Sequence, residues 1–65
     1  MELKVGERYE VKYGFRVVSA KIDGIYEKDG QIEIKWHSGW FNFVVEDLNY
    51  FKSRLLGKEK REITF

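Results

Sequence analysis

Apolar residues recur at every second position in two segments of this chain, and this period restricts its fold more than any other feature. The segments Arg8–Tyr13 and Gln31–Trp36 both alternate between apolar and polar side chains. Successive side chains of a strand point to opposite faces, so this alternation is typical of half-buried β-strands. The Val- and Ile-rich segment Phe15–Ile22 and the apolar segment Trp40–Val45 add two more predicted strands. We therefore predict an all-β fold.

Glycine-containing breaks separate the predicted strands and favour antiparallel pairing. Gly14 follows the first strand, and Ser38-Gly39 follows the third. Asp29-Gly30 is a strong hairpin signal, because Asp and Gly tolerate the positive φ that a tight turn requires. Asp23-Gly24 interrupts the second strand and indicates a bulge or a sharp bend. Successive hairpins of this kind predict an antiparallel meander.

The segment Glu46–Phe51 lacks the period of two and is predicted to form a short helical turn. Two adjacent acids, Glu46 and Asp47, open this segment. Carboxylates at a helix start satisfy free backbone N–H groups and the local dipole. We therefore interpret both residues as N-terminal capping groups.

The C-terminal residues 52–65 leave two structures open. They could form a short helix that ends at Gly57, or they could add an edge strand over 63–65. We predict a folded domain over residues 1–51, followed by a basic C-terminal extension over residues 52–65.

Packing has to supply the stability of so short a chain. The 65 residues include no Cys and a single His, which excludes disulfides and thiolate metal sites, and we expect no metal or cofactor. Eleven residues are Phe, Trp or Tyr, and each can bury a large area. The residues expected in the interior are Tyr9, Ile32, Ile34, Phe41, Phe43 and Val45.

Residues 3–51 resemble an SH3-like barrel, closest to the Tudor, Agenet and KOW-type variants. The segments that carry the resemblance are Val5–Tyr13, Ser19–Ile22, Gly30–Trp36 and Asp47-Leu48. The resemblance implies a barrel of about five antiparallel strands, with a helical turn after the fourth strand. It also implies a binding role, because members of this superfold bind peptides, methylated side chains, RNA or DNA through two of their loops.

The sequence gives little support to catalysis. It contains neither a GxxxxGKS/T nor a GxGxxG motif, so no glycine-rich loop is indicated for a phosphate. His37 has no Cys partner, and the spacing indicates no Ser–His–acid arrangement. We interpret His37 as a turn residue beside Trp36, and we expect that the protein is not an enzyme.

Aromatic residues around the first and third turns form one candidate site. In an SH3-like barrel these turns approach each other, so the resemblance implies an aromatic groove lined by Tyr13, Phe15, Trp36, His37, Trp40 and Asn42. Burying Asn42 is costly, which predicts that it lies with Trp40 on the outer face or rim. Such rings could hold a cation or stack on bases. Packing in the core or at the rim stays open for Tyr13, Phe15 and Trp40.

Basic residues form a second candidate site for phosphates or an acidic partner. They are Lys12, Arg16, Lys52, Arg54, Lys58, Lys60 and Arg61. Residues 1–51 carry seven basic and nine acidic side chains, whereas residues 52–65 carry five and two. A basic tail could neutralise phosphates or could simply be solvated. The pI of about 8.0 is below the value above about 9 that is typical of a dedicated nucleic-acid-binding domain.

These patterns lead to two binding hypotheses. The first is a protein-binding adaptor or inhibitor anchored by Trp40, Phe15 and Tyr13, favoured because the body of the chain is slightly acidic. The alternative is DNA or RNA binding through the basic tail and exposed aromatics. Homodimerisation through the tail or a sheet edge stays open. No apolar run of 18 residues and no secretory signal are visible, so we expect no membrane span and a cytoplasmic location.

Overall fold

One antiparallel sheet contains all the strands of the computed structural model, which describes residues 2–39 and 42–58. The elements are β1 (Arg8–Tyr13), β2 (Arg16–Lys28), β3 (Gln31–His37), β4 (Val44–Asp47), α1 (Leu48–Arg54) and β5 (Leu55–Lys58). Their order across the sheet is β4-β3-β2-β1-β5, and the sheet is not closed into a barrel. The predicted all-β fold of five antiparallel strands with one short helix is confirmed, whereas the closed barrel that the resemblance implies is not formed.

The long β2–β3 hairpin forms where the Asp-Gly pair predicts it. Asp29 and Gly30 have φ values of 52° and 78°, and two consecutive positive φ angles characterise the type I′ turn. The pairing register shifts between Ile22 and Gly24, so the predicted bulge is also present. Beyond this bulge β2 continues to Lys28 and lies beside β3.

The core lies on one face of the sheet, which we call the inner face. Its buried residues are Tyr9, Val11, Val18, Ala20, Ile22, Ile34, Trp36 and Phe51. Phe51 comes from α1, and its ring lies 6.0 Å from that of Trp36. The helix therefore covers the middle of the inner face. The predicted burial of Tyr9 and Ile34 is confirmed.

Asp47 alone caps the helix. Its carboxylate accepts hydrogen bonds from the backbone N–H groups of Asn49, at 2.9 Å, and Tyr50, at 3.2 Å. These bonds satisfy two of the free donors at the start of α1. Glu46, which we also interpreted as a capping group, instead points to the inner face and pairs with Arg54.

The predicted orientation of β4 is wrong. Trp36 lies opposite Val44 in the register, and Ile34 lies opposite Glu46, so Val44 and Glu46 share the inner face. Phe43 and Val45 consequently point outward and are 62% and 56% exposed. The prediction failed because it assigned two large apolar residues to the core and did not foresee a partner for an inward carboxylate.

Two further core predictions have different outcomes. Ile32 is largely exposed, because it lies towards the Asp-Gly end of the hairpin, beyond the buried segment of β3. Phe41 lies outside the described residues.

The tail begins inside the helix and continues as an edge strand. The predicted turn over 46–51 is a helix that runs on to Arg54. Leu55–Lys58 then forms β5, in which Leu55 pairs with Val11 and Lys58 with Tyr9. The helix therefore ends at Arg54 rather than at Gly57, and residues 55–58 form a strand at a position that the edge-strand alternative did not include. Residues 59–65, including the edge strand suggested at 63–65, lie outside the described part of the chain.

Candidate functional site

The residues of the predicted aromatic groove are distributed over two faces of the sheet. Trp36 is fully buried on the inner face, where its ring meets that of Tyr13 edge-on at 6.3 Å. His37 is the next residue of β3 and therefore points to the opposite face, which we call the outer face. Phe15 is fully exposed at the tip of the β1–β2 hairpin, and Asn42 is exposed. Trp40 lies outside the described residues.

The predicted basic residues also separate. Arg16 lies opposite Tyr13 on the inner side, whereas Lys12 lies opposite Val17 on the outer side. Lys52 is exposed on α1. Lys58 forms an ion pair of 3.5 Å with Glu7, and both of these side chains are largely exposed. Lys60 and Arg61 lie outside the described residues.

Arg54 belongs to a closed cluster at the end of the inner face, which we call the Arg54 cluster. Its guanidinium donates to the carboxylate of Glu46 and, at 3.4 Å, to the backbone carbonyl of Lys12. The guanidinium carbon lies 4.5 Å from the ring centre of Tyr50 and 5.5 Å from that of Tyr13. A cation between aromatic rings and a carboxylate is thus already present, supplied by the chain itself.

The outer face holds a row of basic residues that the sequence analysis did not identify. Arg8 lies directly opposite Lys21 in the β1–β2 register, and Lys21 lies directly opposite His37 in the β2–β3 register. Neighbouring strands are about 4.8 Å apart, so the row crosses three strands within about 10 Å. Like charges directly opposite each other destabilise a sheet. Within residues 2–39 and 42–58, no ion pair joins Arg8 or Lys21 to a carboxylate.

The ammonium group of Lys35 and the exposed ring of Phe43 lie beside this row on the outer face. The ammonium group of Lys35 lies 4.5 Å from the ring centre of Phe43. The ring of His37 meets the same Phe43 edge-on at 5.8 Å. His37 Nδ1 lies 2.7 Å from the carboxylate of Asp23, the residue that the β2 bulge adds. We refer to Arg8, Lys21, Lys35 and His37 as the outer-face basic cluster.

Another concave region lies between the β2–β3 turn and the start of α1. This groove of about 320 Å³ is lined by Gly30, Gln31, Ile32, Asp47, Leu48 and Asn49. Its carboxylate, that of Asp47, is committed to the helix cap. The groove therefore offers no uncommitted charged group.

Among residues 2–39 and 42–58, no three His, Asp or Glu side chains come together as a metal-binding group. No helix over the same residues has the length and apolar character needed to cross a bilayer.

Comparisons of the chain with protein-family models, curated proteins and solved structures give no significant match. The site is therefore argued from its own geometry. Arg8, Lys21 and Lys35 were missed because their proximity depends on the strand register. The available signal was that Arg8 and Lys35 stand at polar positions of the two alternating segments.

Proposed function

We propose that this protein is a non-catalytic module that binds nucleic acid through the outer face of its sheet. The same proposal treats the scaffold as SH3-like. Two features support that interpretation: β5 pairs with β1, and a short helix connects β4 to β5. Because one fold can serve many functions, the function itself is argued from the outer-face basic cluster.

The observation that carries the proposal is the direct opposition of Arg8 and Lys21. Their mutual repulsion costs stability in the free protein, and among the described residues neither has a carboxylate partner. A phosphate placed between these two side chains would neutralise them and release its own condensed counterions. The arrangement therefore suits an anionic ligand with spaced phosphates.

The acidic residues of the domain stand at positions other than that of the Arg8–Lys21 pair. Several of the acidic residues of the domain are committed elsewhere: Glu46 pairs with Arg54, Glu7 pairs with Lys58, and Asp47 caps α1. On the outer face Asp23 is engaged by His37, which leaves the Arg8–Lys21 pair without an acidic neighbour at its own register position. Glu10 and Glu33 also stand on the outer face, but neither lies at the register position of the Arg8–Lys21 pair.

A binding titration tests the proposal. Fluorescence anisotropy of labelled single-stranded DNA and RNA oligonucleotides would be measured between about 50 and 200 mM salt. We expect affinity to fall steeply with salt, and Lys21→Gln to reduce the slope of log K against log salt by about 0.7. Lys28→Gln is the matched control, because Lys28 lies on the same strand and face but at the hairpin end.

Two results would overturn the proposal. One is an absence of binding at low salt by protein whose fold has been verified by circular dichroism. The other is an equal effect of Lys21→Gln and Lys28→Gln, which would show that only the total charge matters.

A protein-binding function is the second candidate, and Phe15 favours it. This ring is fully exposed at the tip of the β1–β2 hairpin, beside the exposed Val17. Large aromatic side chains dominate the energetics of many interfaces. A partner that is retained by the wild type and by Lys21→Gln, but lost with Phe15→Ser, would support this candidate over nucleic acid.

A further inference from the structure

Two exposed aromatic rings lie on either side of Lys35 on the outer face. Gly24 lies opposite Lys35 in the β2–β3 register, and Lys35 lies opposite Val45 in the β3–β4 register. Tyr26 covers the Gly24 side, and Phe43 lies on the β4 side. We call Tyr26, Lys35 and Phe43 the outer-face aromatic strip.

Tyr26 lies over the backbone because residue 24 has no side chain. A Cβ atom at Gly24 would come within 2.2 Å of the Tyr26 hydroxyl oxygen. The space that a side chain would fill is thus occupied by the Tyr26 ring, which still has about half of its surface exposed. The ring is therefore placed beside the sheet surface rather than extended into solvent.

Phe43 is held at the other end of the strip by two contacts. The ammonium group of Lys35 lies over one side of the ring, and His37 meets it edge-on. The side chain nevertheless remains 62% exposed. More than half of the side chain is therefore accessible to a flat partner.

We propose that the outer-face aromatic strip stacks on the bases of a single strand while Arg8 and Lys21 hold its phosphates. This inference rests on the proposed nucleic-acid function and adds the form of the ligand. Every base has a π face, but a duplex hides these faces within its own stack. A surface that combines exposed rings with adjacent cations therefore favours single strands over duplexes.

The stacking contribution can be isolated with a ligand that keeps its phosphates but lacks bases. The intact chain would be titrated with three labelled probes of equal length: an oligothymidine, an abasic strand and a duplex. We expect the oligothymidine to bind more tightly than the abasic strand by roughly 5- to 140-fold for each stacked base. The duplex should bind more weakly than the oligothymidine.

Substitutions test whether the outer-face aromatic strip causes the difference in affinity between the oligothymidine and the abasic strand. Phe43→Leu should weaken oligothymidine binding and leave abasic-strand binding unchanged, so that the two affinities converge. Tyr26→Leu is a second, independent variant. Phe15→Leu is the matched control, because it removes another exposed ring that lies at the hairpin tip, away from the strip. Thermal unfolding would verify the fold of each variant.

The failures of the two proposals are distinguishable. Equal affinity for oligothymidine and the abasic strand would overturn base stacking while leaving phosphate binding intact. Equal affinity for the duplex and the single strand would overturn the preference for single strands. If folded protein bound none of the three probes, nucleic-acid binding itself would fail, and base stacking with it.

Discussion

The inner and outer faces of this sheet both place a cation against aromatic rings, but only the inner arrangement is closed. The Arg54 side chain is only 16% exposed and has a carboxylate, a backbone carbonyl and two rings as partners. On the outer face Lys35 contacts the exposed Phe43, and within the described residues it has no carboxylate partner. On the inner face these residue types thus form a neutralised cluster, whereas on the outer face they form the surface for which we propose ligand binding.

We expect the largest difference in the loss of unfolding free energy between substitutions at two consecutive residues of β3. Trp36→Ala should cost about 3–5 kcal/mol of unfolding free energy, because it empties a buried site beside Phe51. That loss is comparable to the whole stability of a domain this small. His37→Ala should cost only about 1 kcal/mol, through the lost hydrogen bond to Asp23. Urea unfolding would measure both, and similar losses would contradict the assignment of the two faces.

We expect a smaller loss of stability when the guanidinium group is removed from the Arg54 cluster. Arg54→Met should lower the free energy of unfolding by about 2–3 kcal/mol, because it leaves the half-buried Glu46 unpaired. The oligonucleotide affinity of the folded protein should stay within about twofold of the wild type, a change of under about 0.5 kcal/mol.

Lys58→Met is the control for this variant, since its pair with Glu7 is largely exposed. It should change stability by less than about 0.5 kcal/mol. An Arg54→Met protein with wild-type stability would show that the Arg54–Glu46 pair does not stabilise the fold.

Much of the fold follows from local patterns. Strict alternation located β1 and β3, and the Asp29-Gly30 pair located the long hairpin. β5 could not be assigned because it follows α1 directly, without a glycine or proline between them, and has only four residues. The orientation of β4 failed for a different reason. It depends on the pairing of Glu46 with Arg54, eight residues later, and the alternation of β4 carries no information about that pair.

The candidate site was less accessible to sequence reasoning. The period of two already separates Trp36 from His37, so a groove containing both conflicts with the alternation that defines β3. The row formed by Arg8, Lys21 and His37 joins three strands and could be derived only with the correct register. The bulge at Asp23 shifts that register by one residue, which no local propensity specifies.

The most direct test of the proposed role of the outer face uses the single variant Lys21→Gln. Both its free energy of unfolding and its affinity for the oligothymidine would be measured. If Lys21 serves a ligand at the expense of the fold, removing its repulsion with Arg8 should stabilise the free protein by about 0.2–1 kcal/mol. The same variant should bind the oligothymidine several-fold more weakly. Urea unfolding and anisotropy on one preparation would give both values. A variant that loses stability, or that binds as tightly as the wild type, would contradict the account.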